Sequence, residues 1–145
     1  MKQNMRFSLF LIVGLFAFFS SHGQEAKQTI KITNLENVEG SLYIGWYKDA
    51  QDFRINEKAI YREKIEVTNQ SEVSVQFNNI PKGKYAIAVF LVENDNYKLD
   101  RNLFGIPTEK YGFSNNILPA LRAATFEESV FQVDEQGAIT IIKLK

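Results

Sequence analysis

"KYAIAVFLV" (residues 84–92) is the stretch that decides the fold. Read with a period of two, Tyr85, Ile87, Val89 and Leu91 fall on one face, and Ala86, Ala88, Phe90 and Val92 on the other. A strand that is apolar on both faces has to be covered on both sides, so it belongs at the centre of a layered structure. Immediately before it, "NIPKG" (79–83) is turn chemistry: Pro81 presets φ and Gly83 accepts left-handed geometry. A phosphate-cradling glycine loop would need a second glycine and a following helix, and the segment has neither.

The same period of two continues outward in both directions. "TIKITNL" (29–35) alternates Ile30 and Ile32 with polar neighbours. In "GSLYIGWYKD" (40–49), Leu42, Ile44 and Trp46 share one face, with Tyr43 and Tyr47 on the other. "EVSVQF" (72–77) sends Val73, Val75 and Phe77 inward and Ser74 and Gln76 outward. "AIYREKIEV" (59–67) is a strand with a charged face, suited to a sheet edge where charge discourages stray pairing. "FEESVFQV" (126–133) and "AITIIKL" (138–144) read as a closing hairpin around Asp134-Glu135-Gln136-Gly137. Helical signal is thin: "DAQDFRINEKA" (49–59) holds at most a turn, and "LPALRAATF" (118–126) is a short helix or an extended linker. About seven strands separated by turns predict an all-β fold, a single β-sandwich domain.

The first 23 residues stand apart. Lys2 and Arg6 precede the apolar run "FSLFLIVGLFAFF" (7–19), and Ser21 and Gly23 put small residues at the −3 and −1 positions of a cleavage site before Gln24. That is the layout of a secretory signal peptide, so residues 1–23 are expected to direct export and 24–145 to form the domain. The run is shorter than the roughly 20 apolar residues that span a bilayer, and no second one follows. The expected location is periplasmic or extracellular.

Seventeen basic residues balance seventeen acidic ones, and Lys2 and Arg6 leave with the leader. The remaining chain is slightly acidic, without the positive footprint that nucleic acid or anionic membrane requires. The only histidine is His22, within the leader, and there is no cysteine. Serine–histidine and cysteine–histidine catalysis are therefore excluded, as are zinc and copper sites built on those side chains. No cofactor is expected.

The remaining candidate region is "VENDNYKLDRNLFGIPTEKYGFSNN" (92–116), which follows the central strand. Connections of this length inside a small domain are usually functional or held by their own packing. For calcium, an EF-hand-like loop needs a carboxylate at its first position and glycine at its sixth. Counted from Val92, Asn94, Asn96 and Asp100 fall at positions three, five and nine, but Val92 and Tyr97 replace the carboxylate and the glycine. Calcium is thus possible but disfavoured, and asparagine and aspartate ties to the loop's own backbone are the competing reading. In the second half, Gly105 and Gly112 suit unusual backbone angles, and Phe104, Tyr111 and Phe113 are placed to pack down. Glu109, Ser114, Asn115 and Asn116 are placed to hydrogen-bond the loop closed. The alternative is a recognition surface in which Glu93, Tyr97, Glu109, Tyr111, Ser114, Asn115 and Asn116 meet a glycan, a peptide or an envelope protein. Exposure distinguishes the two, since recognition leaves Tyr97 and Tyr111 facing solvent and a plug buries them.

"GKYAIAVF" together with "ENDNYKLDRNLFGIPTEKYGFSNN" resembles the signature of a bacterial family of exported proteins catalogued as domain of unknown function 2141. The likeness is close over residues 83–116 and looser elsewhere, including "GSLYIGWY" and "TFEESVFQV". Asn94, Asn96, Lys98, Leu99, Asp100, Asn102, Gly105, Pro107, Glu109 and the run from Tyr111 to Asn116 match its pattern. Leu91, Val92 and Tyr97 stand where the family has His, Asp and Gly, which removes the most calcium-like part. The resemblance implies a β-sandwich of immunoglobulin-like or transthyretin-like type and no established activity. Expected, then, is an exported, non-catalytic module binding or interacting through 92–116, or a structural envelope domain with an internally tied loop.

Overall fold

The computed structural model describes residues 27–94, 99–103 and 107–145. Residues 1–23, expected from sequence to be a leader, lie outside the described residues. Eight strands are present among them: β1 (Gln28–Thr33), β2 (Glu39–Tyr47), β3 (Tyr61–Thr68), β4 (Glu72–Phe77), β5 (Gly83–Val92), β6 (Tyr111–Phe113), β7 (Phe131–Val133) and β8 (Ala138–Lys143). They form two sheets, a three-stranded one in the order β4-β1-β8 and a five-stranded one in the order β3-β2-β5-β6, with β7 also on β5. The fold is all-β and sandwich-like, and helix among the described residues is confined to two 3-10 turns and the four-residue α1 (Phe126–Ser129). No described helix is long and apolar enough to cross a membrane.

The period-two pattern turns directly into layers. Ile30 and Ile32 of β1, Leu42, Ile44 and Trp46 of β2, and Tyr85, Ile87, Val89 and Leu91 of β5 are all buried in one core between the sheets. Each such aliphatic side chain contributes about 1.5–3 kcal/mol through removal from water. The opposite face of β2 and β5 feeds a second, smaller core of Tyr47, Phe53, Ala86, Ala88, Tyr111, Phe113 and Ala124. β5 is thus central and covered on both faces, as its sequence requires. Ala86 and Ala88 leave room for that outer layer. Gly45 does the same, for a Cβ there would lie 2.6 Å from Tyr47 Oη. Burial, and then the field of Glu57, pushes the Tyr47 phenol up to about 12.

β3 is an edge strand, in keeping with its charged face. Three expectations need correction. The last two strands are not a hairpin: β7 pairs with β5 and β8 pairs in parallel with β1, so Asp134–Gly137 carries the chain from one sheet to the other. That turn still uses its own chemistry, with the Gln136 N–H donating to Asp134 Oδ1 and Gly137 at φ 77. "FEES" opens as α1 and not as strand. Thr125 is its N-cap, and the Thr125–Glu128 capping box is complete. In the turn before β5 the left-handed residue is Asn79 (φ 60), while Gly83 begins the strand. Asparagine accepts that conformation through its short polar side chain.

Arg122 holds both oxygens of Glu128, at 2.7 and 2.8 Å. The Arg122 pair first, and then the Thr125 backbone, hold the Glu128 carboxyl down to about 2. A folded-state value below the unfolded one stabilises above the unfolded value, and that stabilisation is lost as pH falls through the folded one. Stability should therefore decline between the ordinary 4.5 and about 2, and Glu128→Gln should remove this part of the acid dependence. Acid unfolding of the two proteins checks it. Identical acid profiles would contradict the pairing.

Candidate functional site: a clasp and a pocket

The 92–116 connection leaves the end of β5 and returns to the same edge as β6. Its root is tied by one side chain. Glu109 Oε1 accepts from the Glu93 N–H and Oε2 from the Asp100 N–H, each at 2.9 Å. Asn94 Nδ2 donates to Asp100 Oδ2 at 2.6 Å, and the Thr108 N–H donates to the Asp100 carbonyl at 2.9 Å. An isolated bridge between Arg101 and Pro107 pairs the two arms of the connection. Asn94 and Asp100 thus come together. Asn96 and Tyr97 lie outside the described residues, as do Phe104 and Gly105. Among the described residues no group of three or more carboxylates or histidines that could hold a metal ion is gathered.

The second half, "YGFSNN", is a clasp. β6 pairs with β5 on one side. On its other side, Tyr111 exchanges both backbone hydrogen bonds with Lys145, just past the end of β8 in the opposite sheet. Gly112 makes that approach possible. A Cβ there would meet Ile142 Cγ2 at 2.9 Å, Leu144 Cδ2 at 3.0 Å and the Lys143 carbonyl at 3.1 Å. Gly112 has no positive φ, so its role is close approach and not the unusual angle expected from sequence.

Ser114 is completely buried. Its Oγ accepts from the Ile87 N–H at 2.9 Å and donates to the Ser129 carbonyl. Ile87 lies between the β5 residues paired with β7 (Gly83–Tyr85) and those paired with β6 (Ala88–Phe90). The hydroxyl therefore completes the ladder where one short strand hands over to the other. Asn115, at φ 66, donates to the Glu128 and Val130 carbonyls around α1. Asn116, at φ 55, donates to the Ile141 carbonyl and accepts from the Lys143 N–H, copying a strand residue on the free edge of β8. Tyr111 and Phe113 are buried in the outer core. Glu93 supplies a backbone donor to this network.

Above the outer core lies a pocket of about 360 Å³. Ala88, Phe90, Tyr111 and Phe113 form its floor, Ala123 and Leu99 contribute to its sides, and Arg54, Glu57 and Arg101 also line it. Leu99, partly buried against the outer core, anchors the arm that carries Arg101. Arg54 comes from the connection between β2 and β3. Sequence spacing gives no hint that Arg54 and Arg101 share a cavity, because only the topology brings those two connections to one face of β5. The Thr-x-x-Glu spacing of Thr125 and Glu128 is the signal that would have marked α1, and reading 126–133 as strand passed over it.

Residues 30–141 match the model of a family described as "Uncharacterized protein conserved in bacteria (DUF2141)". No curated protein matches the chain, and no solved structure does.

Proposed function

The chain belongs to the DUF2141 family, and from that premise we propose that it is an exported, non-catalytic β-sandwich module that binds a small ligand in the pocket lined by Leu99, Arg101 and Pro107. The pocket itself is the observation that carries this reading. At about 360 Å³, apolar in its floor and polar at its edge, it has the size and lining of small-molecule sites. Export is supported by the leader-like residues 1–23, and the absence of catalysis by the lack of histidine and cysteine in residues 24–145. Ser114 has its hydroxyl engaged with backbone on both sides and no base beside it. The parallel pairing of β1 with β8 supports assignment to the immunoglobulin-like or transthyretin-like sandwiches.

A second reading applies to residues 109–116, where Glu109, Ser114, Asn115 and Asn116 all bind backbone. They serve the fold as an internally tied closure, and recognition belongs to the first half of the connection and the pocket. Calcium has no part in this account.

Titration of the isotope-labelled protein with benzyl alcohol, a neutral apolar probe, tests the reading. Amide shifts should concentrate at Ala88, Phe90, Leu99, Tyr111 and Ala123, and added calcium should move nothing at Asn94 or Asp100. Shifts gathered instead at the exposed Ile139 and Ile141 would place the binding surface on the other sheet and refute it.

A further inference from the structure

Among the described residues, seven that are not glycine have positive φ: Asn34, Asn37, Arg54, Asn69, Asn79, Asn115 and Asn116. Six are asparagine, the side chain that takes this conformation at least cost after glycine. Arg54, at φ 71, is the exception. An arginine there gains nothing locally, and it makes no ion pair among the described residues. A residue held in a disfavoured conformation without a structural partner points to a use elsewhere.

That use is in the pocket. Arg54 and Arg101 line it together, and Arg101 likewise forms no ion pair among the described residues. Burial, and then the like charge of Arg101, hold the Arg54 guanidinium below the ordinary arginine range. Two like charges set against one cavity repel each other until something negative lies between them. Glu57 lines the same pocket without reaching ion-pair distance of either guanidinium, so the described residues give it a net positive rim over an apolar floor.

We infer that the pocket takes a small organic anion, its carboxylate or phosphate head between Arg54 and Arg101 and its apolar body over Ala88, Phe90 and Phe113. Planar guanidinium forks suit both head groups, binding two oxygens at once. This rests on the pocket reading above and adds the class of ligand to it.

Calorimetric titration with phenyl phosphate, phenylacetate and neutral benzyl alcohol tests the inference on the purified protein and on Arg54→Asn and Arg101→Gln. One of the anions, or both, should bind more tightly than benzyl alcohol, and salt should weaken the anion alone. Each variant should bind the anion about tenfold or more weakly, the loss expected for one charge-assisted contact. Benzyl alcohol should bind all three proteins alike. Arg54→Asn should keep or raise the melting temperature, because asparagine suits φ 71 and the arginine is held there for the ligand. Whichever anion prevails identifies the head group.

Anions that bind the variants as well as the unmodified protein would overturn the inference. So would benzyl alcohol binding at least as tightly as both anions, although the pocket reading would then survive. No binding by any probe would remove both. An Arg54→Asn protein that melts lower while binding the anion normally would return Arg54 to a purely structural role.

Discussion

Ser114→Ala should destabilise the protein by about 2–3 kcal/mol, although it removes a single oxygen atom. Burial of that oxygen and the identity of its partners set the size of the effect. Its removal leaves the Ile87 N–H, in the middle of the central strand, buried without an acceptor. An orphaned buried donor costs about 1–3 kcal/mol, and the link to the Ser129 carbonyl is lost as well. Asn116→Ala provides the contrast. Its two hydrogen bonds to β8 lie on an exposed residue where water can replace them, so its cost should be clearly smaller. Urea unfolding of both variants measures the difference. Equal losses would mean that the clasp is not organised around the buried hydroxyl.

Trp46→Ala should cost more, about 3–5 kcal/mol, the range for truncating a large aromatic in a packed core. Trp46 is fully buried. It packs against Tyr61 of β3, Phe77 of β4, Tyr85 of β5 and Phe131 of β7, with ring centroids 5.4–6.5 Å apart. These partners come from both sheets, so the cavity would open where the layers meet. Trp46→Phe should cost much less than alanine. The indole Nε1 has no hydrogen-bond partner among the described residues, so phenylalanine gives up volume but no hydrogen bond. If phenylalanine proved as damaging as alanine, the indole nitrogen would have to be doing something that its surroundings do not indicate.

The strands were legible because burial on a sheet face enforces a period of two. β1, β2 and β5 bury the very residues that their alternation marks, β4 buries Phe77 and packs Val73 and Val75 partly buried against the same core, and β5 proved central because both of its faces are apolar. The closing hairpin was misread because a turn signal at Asp134–Gly137 reports local geometry alone. It cannot say whether the chain turns back onto its neighbour or crosses to the other sheet. The short strands β6 and β7 have three residues each, too few for alternation to register. What fixes them is the pairing of distant segments with β5.

The candidate site was legible in part for the same reason. "YGFSNN" shows composition suited to backbone ties, yet its partners, Ile87, Glu128 and Ile141, lie far away in sequence. The spacing test for calcium looked along the chain, whereas the carboxylate that organises the root of the connection, Glu109, reaches back across it to Glu93 and Asp100. Arg54 was invisible as a site residue. Nothing in "DFRINE" signals a left-handed arginine or its meeting with Arg101.

The most direct test of the clasp is amide hydrogen exchange at Ile87 in the unmodified protein and in Ser114→Ala. If Ser114 completes the central ladder, the Ile87 amide exchanges only on global unfolding in the unmodified protein, at a rate matching its β5 neighbours. In the variant it should lose more protection than those neighbours do. An Ile87 amide that exchanges rapidly in the unmodified protein, or that is indifferent to the substitution, would show that "YGFSNN" does not close the sandwich.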